Sequence, residues 1–186
     1  MPHREPLLLL LARHLMAWPD DAERVATVCE LLHGTPRCFE RDSYPGHVTA
    51  SAWILGADRE RSLLTHHKKL GRWLQLGGHA DGAPQVLEVA LREAREESGL
   101  THLTAWTQDG EPLSLDVDVH WIPARQSEPG HWHHDVRFLL LAGPGQEIVR
   151  SEESNDLQWF TDAEVRRLVD EESVLRLLLR ARSVLG

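Results

Sequence analysis

Three carboxylates and two guanidiniums crowd into the stretch Arg92-Glu93-Ala94-Arg95-Glu96-Glu97. In a helix at 100° per residue, Glu93, Glu96 and Glu97 fall within an arc of about 100°. Leu87, Leu91 and Ala94 occupy the adjacent arc, the natural core face. Like charges at i,i+4 destabilise a helix, and burial sharpens the conflict. A divalent cation relieves it, because carboxylate oxygen is the donor that Mg²⁺ and Mn²⁺ prefer. An isolated run of this kind would read as a solvated charged face, so its surroundings decide.

The run sits in a framed setting. An apolar strand, Trp73 to Leu76, ends in Gly77-Gly78, and Gly99 terminates the helix as a C-cap. The stretch Gly78–Leu100 resembles the Nudix box, G-x5-E-x7-R-E-U-x-E-E-x-G-U, where U is a bulky apolar residue. Gly78 opens it, and Arg92-Glu93-Ala94-Arg95-Glu96-Glu97-Ser98-Gly99-Leu100 closes it. Ala94 is a small occupant of a U position. The first glutamate of the pattern falls on Pro84, and Asp81 is the nearest upstream carboxylate. Pro84 suits the first turn of a helix, where its missing N–H costs nothing.

The resemblance implies a divalent-metal-dependent pyrophosphohydrolase that cleaves a nucleoside diphosphate linked to another moiety. Mg²⁺ or Mn²⁺ would be held by Glu96 and Glu97 directly, with Glu93 ligating or orienting water and the Gly77 carbonyl adding an oxygen. Arg92 would keep the carboxylates in place. The catalytic base of such enzymes comes from the box or from a late loop. Glu152 and Glu153, in SEESND, are the late-loop candidates, and Glu153 is preferred. Two rivals remain open. Loss of the carboxylate that Pro84 replaces suggests a ligand-binding module with weak turnover. A prenyl diphosphate isomerase-like enzyme shares the architecture but needs a cysteine in the pocket.

Other residues suggest substrate contacts. Arg72 and Trp73, beside the lysines at 68 and 69, lie just upstream of the box and suit an anionic, stackable ligand. His79 lies inside the box. In His131-Trp132-His133-His134-Asp135-Val136-Arg137, alternation puts His133 and Asp135 on one side of a strand. Two imidazoles beside a carboxylate can bind a transition metal, but no further strong ligand stands near them in sequence. A polar pocket wall is preferred, with Arg137 contacting phosphate. Of seven tryptophans, Trp53, Trp121 and Trp159 sit in apolar strand patterns and are expected in the core; Trp73 and Trp132 flank polar loops and could stack a base.

The elements that must position these groups follow from pattern. The 186 residues fit one domain with an extension, and a hydrophobic content of 41% is ordinary for a globular core. Net charge is −9, which argues against a nucleic-acid-coating protein. Cys29 and Cys38 form no CxxC pair and read as free thiols of a reducing, cytoplasmic compartment. The Leu7–Leu11 run is too short for a membrane span and is followed by Arg13 without a cleavage site. Two helices, 5–17 and 20–33, make an N-terminal extension over 1–44 that could cap the domain, form a homodimer contact or shape the pocket, with a linker at 37–45. Strands are expected at 47–55, Ser62–His66, Trp73–Leu76, Thr101–Thr107, Leu113–Ile122, Asp135–Ala142 and Leu157–Phe160, then one or two helices over Thr161–Val184 with Thr161 as N-cap. That order fits the α/β/α sandwich with a mixed sheet of the Nudix family, over 45–186.

Overall fold

In a computed structural model, residues 2–125 and 128–186 are described. The centre is the strand β1, Gly46–Leu55, in which all ten positions are buried. It pairs in parallel with β9, His131–Ala142, over ten consecutive residues from Gly46↔Trp132 to Leu55↔Leu141. A strand buried on both faces reads as a continuous apolar run, which explains Val48, Ala50, Ala52, Trp53 and Ile54. Around this pair the sheet is antiparallel. β2, Arg61–His67, pairs with β1 and with β10, Ser154–Thr161; β8, Ser114–Ile122, and β5, Leu103–Ala105, pair with β9.

Several boundaries differ from the sequence reading. The segment expected as one strand at Trp73–Leu76 is two: β3, Arg72–Leu74, pairs with β2, and β4, Leu76–His79, pairs with β1. The chain changes partner at Gln75, and a period-2 pattern carries no mark of such a change. Beyond β5, Thr107–Gln108 (β6) and Glu111–Pro112 (β7) form a separate small hairpin. Trp121, expected in the core, is 50% exposed. It is the register partner of Trp132 on β9, and the rings meet edge to face at 5.3 Å, outside the cover of any helix. Trp53 is fully buried, and Trp159 packs half-buried against the core.

Helices cover both faces. On one lie α1, Glu5–Ala17, α2, Ala22–Gly34, and α3, Val86–Ser98. Leu7, Leu11, Val25, Val28 and Leu32 share a single core with Ala50, Ile54, Val136 and Phe138 of the sheet and with Val89, Ala90 and Ala94 of α3. The N-terminal helices are therefore packed on the sheet. The 37–45 segment is not slack either: Cys38 and Phe39 are buried, the Val48 N–H donates to the Cys38 carbonyl at 2.7 Å, and the Gly82 N–H to Phe39 at 2.9 Å. On the opposite face lie α4, Asp162–Leu168, and α5, Glu172–Leu185, over Trp53, Leu55, Leu139 and Phe160. Thr161 is the N-cap of α4 and forms a reciprocal capping box with Glu164. No helix among the described residues is long and apolar enough to cross a membrane.

Candidate active site

α3 carries the three glutamates and packs on β1 and β4. It ends at Gly99 in the left-handed conformation, φ 72°. It begins at Val86, so Pro84 lies in the preceding loop and outside the first turn expected for it. Its core side is Val86, Val89, Ala90 and Ala94, with Leu91 buried and Leu87 half-buried. Glu93 and Glu97 flank that side against the β4 backbone. The Gly77 N–H donates to Glu97 Oε1 at 3.2 Å. A Cβ on Gly78 would sit 2.6 Å from the Glu93 carboxyl carbon, so glycine is what lets strand and carboxylate approach.

Arg92 is the cation that organises the cluster. One Nη lies 2.7 Å from Glu93 and 3.5 Å from Glu96; the other donates to the His79 carbonyl at 3.0 Å. It thus ties helix to strand as well as carboxylate to carboxylate. The charges remain undercompensated. Burial raises the Glu97 carboxyl to about 8, with Glu93, Glu153 and Glu96 adding to the rise and the Gly77 N–H opposing it. Burial raises Glu93 as well, against Arg92. Glu153, on the loop before β10, is exposed and close enough for its charge to be felt by both. Half-buried carboxylates of raised affinity for a proton also fit a divalent cation, and oxygen-only donors are those of Mg²⁺ and Mn²⁺.

The remaining sequence candidates divide into three places. Arg72 and Trp73 line one cleft of about 490 Å³ with Leu168, Asp170 and Glu171. There Arg72 pairs with Glu171 at 2.6 Å, and Trp73 stands edge-on to Phe160 at 4.8 Å. Arg137 corrects the expectation of a phosphate contact. It is 2% exposed and enclosed by Asp116 at 3.3 Å, Asp118 at 2.9 Å and Asp135 at 2.9 Å. The same alternation that aligns it with His133 puts it under α5, where its charge is spent internally. His79 and His133 meet on the far face of β4 from α3, together with His47. Sequence reasoning passed over His47; only the parallel register, which sets it opposite His133, could have revealed it. Burial keeps the His79 imidazole at about 4, and lowers His47 and His133 too, so all three are neutral near pH 7. Neither thiol is at the box: Cys38 is fully buried in the core beside Phe39, and Cys29 lies on α2.

A model of the NUDIX domain matches residues 45–180. Among solved structures, a NUDIX-family hydrolase from Clostridium perfringens is similar at 25% identity, with a TM-score of 0.57 over 75% of this chain and 98% of that one. The Ap4A hydrolase of C. elegans, in a binary complex, matches at 17% identity and a TM-score of 0.57, over 74% and 96%. The NUDIX domain of Shewanella oneidensis NrtR, complexed with ADP-ribose, matches at 19% and 0.55, over 85% and 98%. No curated protein matches in sequence. The chain belongs to the NUDIX domain family, and its class is that of the Nudix hydrolases.

Proposed function

We propose that the protein hydrolyses a phosphoric anhydride bond in a nucleoside diphosphate linked to a second moiety, using Mg²⁺ or Mn²⁺. The observation that carries this is the half-buried Glu93–Glu97 pair against Gly77-Gly78, a donor set with more negative charge than Arg92 alone offsets. Glu93, Glu96, Glu97 and the Gly77 carbonyl would hold the cation, which supplies charge neutralisation to the diphosphate and polarises its oxygens. Arg92 fixes Glu93 and Glu96 relative to β4, so their geometry is set before substrate arrives. Glu153, whose charge is felt by Glu93 and Glu97, would accept the proton of the attacking water. The water oxygen bonds to phosphorus, and the bridging oxygen leaves with the electron pair of the broken P–O bond. Arg72, exposed and exchangeable from Glu171, contacts a phosphate, and Trp73 offers a ring face to the base.

The similarity to an Ap4A hydrolase and to an ADP-ribose-bound NUDIX domain sets the first substrates to test. Wild type and Glu97→Gln are assayed for phosphate or nucleotide release on dinucleoside polyphosphates, ADP-ribose, sugar nucleotides and free nucleotides, with each metal. Turnover that drops by about 100-fold or more in the variant supports the reading, since the metal contribution is several kcal/mol. A wild type inert on the whole panel sinks it. Thermal stabilisation by a panel member without turnover would support the ligand-binding alternative that Pro84 raises.

A further inference from the structure

The histidines to which the proposed hydrolysis assigns no step are gathered from three strands. His47 opens β1, His79 ends β4 and His133 lies on β9. β1 pairs with both of the others, placing Thr49 against His79 and His47 against His133. One ring nitrogen from each lies within 4.8 Å of the other two. His131 adds a fourth imidazole, its Nε2 3.2 Å from His133 Nε2. We propose that these side chains form a second metal centre, separate from the glutamate site, that takes a borderline transition metal of the Zn²⁺ class. His47, His79 and His133 are its ligands, and His131 stands beside the fourth position.

Four observations support the assignment. First, the donors are all imidazole, which suits Zn²⁺ and its neighbours and not the hard ions of a carboxylate site. Second, backbone carbonyls already fix the orientation of one ligand, His47, and of the neighbouring His131 ring. His47 Nδ1 lies 3.3 Å from the Ser43 carbonyl and His131 Nδ1 2.8 Å from that of Pro129. Each carbonyl accepts the Nδ1 proton, which leaves Nε2 of each ring with a lone pair, the arrangement that metal-ligating histidines require. Third, His47 is 1% exposed, and its Nε2 has no hydrogen-bond partner among the described residues. A buried acceptor left unpaired is costly, and an ion is a partner that removes the cost. Fourth, the ring centroids of His47, His79 and His133 are 5.0–5.2 Å apart, close enough to close on one ion by side-chain rotation. The site and the glutamate cluster lie on opposite faces of β4, joined through Arg92 and the His79 carbonyl. An ion there would clasp β4, β1 and β9 at the end where the box begins.

The test separates the two centres. Chelator-treated wild type, Glu97→Gln, His79→Gln and His133→Gln are titrated with Co²⁺ and Zn²⁺ alone. The expectation is one Co²⁺ per chain at the histidine site, with the intense visible bands of a tetrahedral, nitrogen-rich shell. Those bands persist in Glu97→Gln and weaken in both histidine variants, with Kd rising at least about tenfold, the low end of what losing even an outer-shell partner costs. X-ray absorption on zinc-loaded Glu97→Gln, which needs no histidine variant to fold, should show three or more imidazole nitrogens around zinc. An oxygen-only shell, bands that survive both histidine substitutions, or bands abolished by Glu97→Gln overturns the proposal.

Discussion

Two adjacent glycines do different work, and single methyl groups tell them apart. A Cβ on Gly77 would meet backbone: the Ser51 Cα at 2.5 Å and the Ala50 carbonyl at 2.7 Å. Neither can move without shifting β1, so Gly77→Ala is expected to cost about 1–3 kcal/mol, the range for overpacking, read as a lower urea midpoint. The three atoms nearest a Cβ on Gly78 are all in the Glu93 carboxylate, the end of a flexible side chain. Gly78→Ala should therefore keep the urea midpoint and lose activity, as the carboxylate is pushed from its place. If Gly78→Ala proved the less stable of the two and kept full turnover, the placement of Glu93 against β4 would be of no catalytic consequence. Arg92→Lys belongs with these. A lysine cannot reach Glu93, Glu96 and the His79 carbonyl together, so kcat should fall with the fold intact.

Between elements, charge is laid out as a chain. Asp135 on β9 meets Arg137, which meets Asp118 and Asp116 on β8; these meet Arg176 and Arg180 on α5, and Arg180 reaches Asp21 before α2. Asp21 also accepts from His14 at 2.7 Å and pairs with Arg24. Burial opposes ionisation of Asp21, but hydrogen bonds from Arg180 and His14 outweigh it and hold its carboxyl well below the usual carboxylate range. Such a group stabilises the fold above its unfolded pKa, about 3.9, and the contribution fades as pH falls from there toward the folded value. Asp21→Asn should cost about 1–3 kcal/mol at pH 7, because it removes the carboxylate that Arg180, Arg24 and His14 share while Arg180 keeps Asp116, and the gap to wild type should narrow below about pH 4. Denaturant midpoints at the two pH values measure it; a gap that widens in acid would contradict it. Little of this chain was legible in the sequence. The aspartates of β8 and the arginines of α5 look like solvated charge, because their partners are set by packing between layers. The box was legible because its glycines, helix and carboxylates are contiguous. Arg137 misled for the converse reason: its neighbours in sequence are a polar patch, and its neighbours in space are aspartates.

At the scale of the molecule, the N-terminal helices are part of the core. Leu7, Leu11, Val25, Val28, Leu31 and Leu32 are each at most 7% exposed, in the same cluster as β1 and α3. Their burial is worth on the order of 10 kcal/mol or more at about 1.5–3 kcal/mol per side chain, comparable with the roughly 5–15 kcal/mol that holds a whole domain. Deleting residues 1–34 should abolish cooperative unfolding, followed by circular dichroism in urea; a truncated chain with a wild-type midpoint would show the helices to be dispensable. The parallel pairing of β1 with β9 has its own consequence in time. Every one of its ten register pairs encloses the box and all of β2–β8 in sequence. Closing so long a loop precedes any gain from the contacts that reward it, which makes the central pair a slow step in folding. On a ribosome, β1 must wait, unpaired along that edge, until β9 has been synthesised and has cleared the exit tunnel. His47 and His133 cannot meet before then, and the glutamates of α3 lack their finished sheet until β9 has emerged.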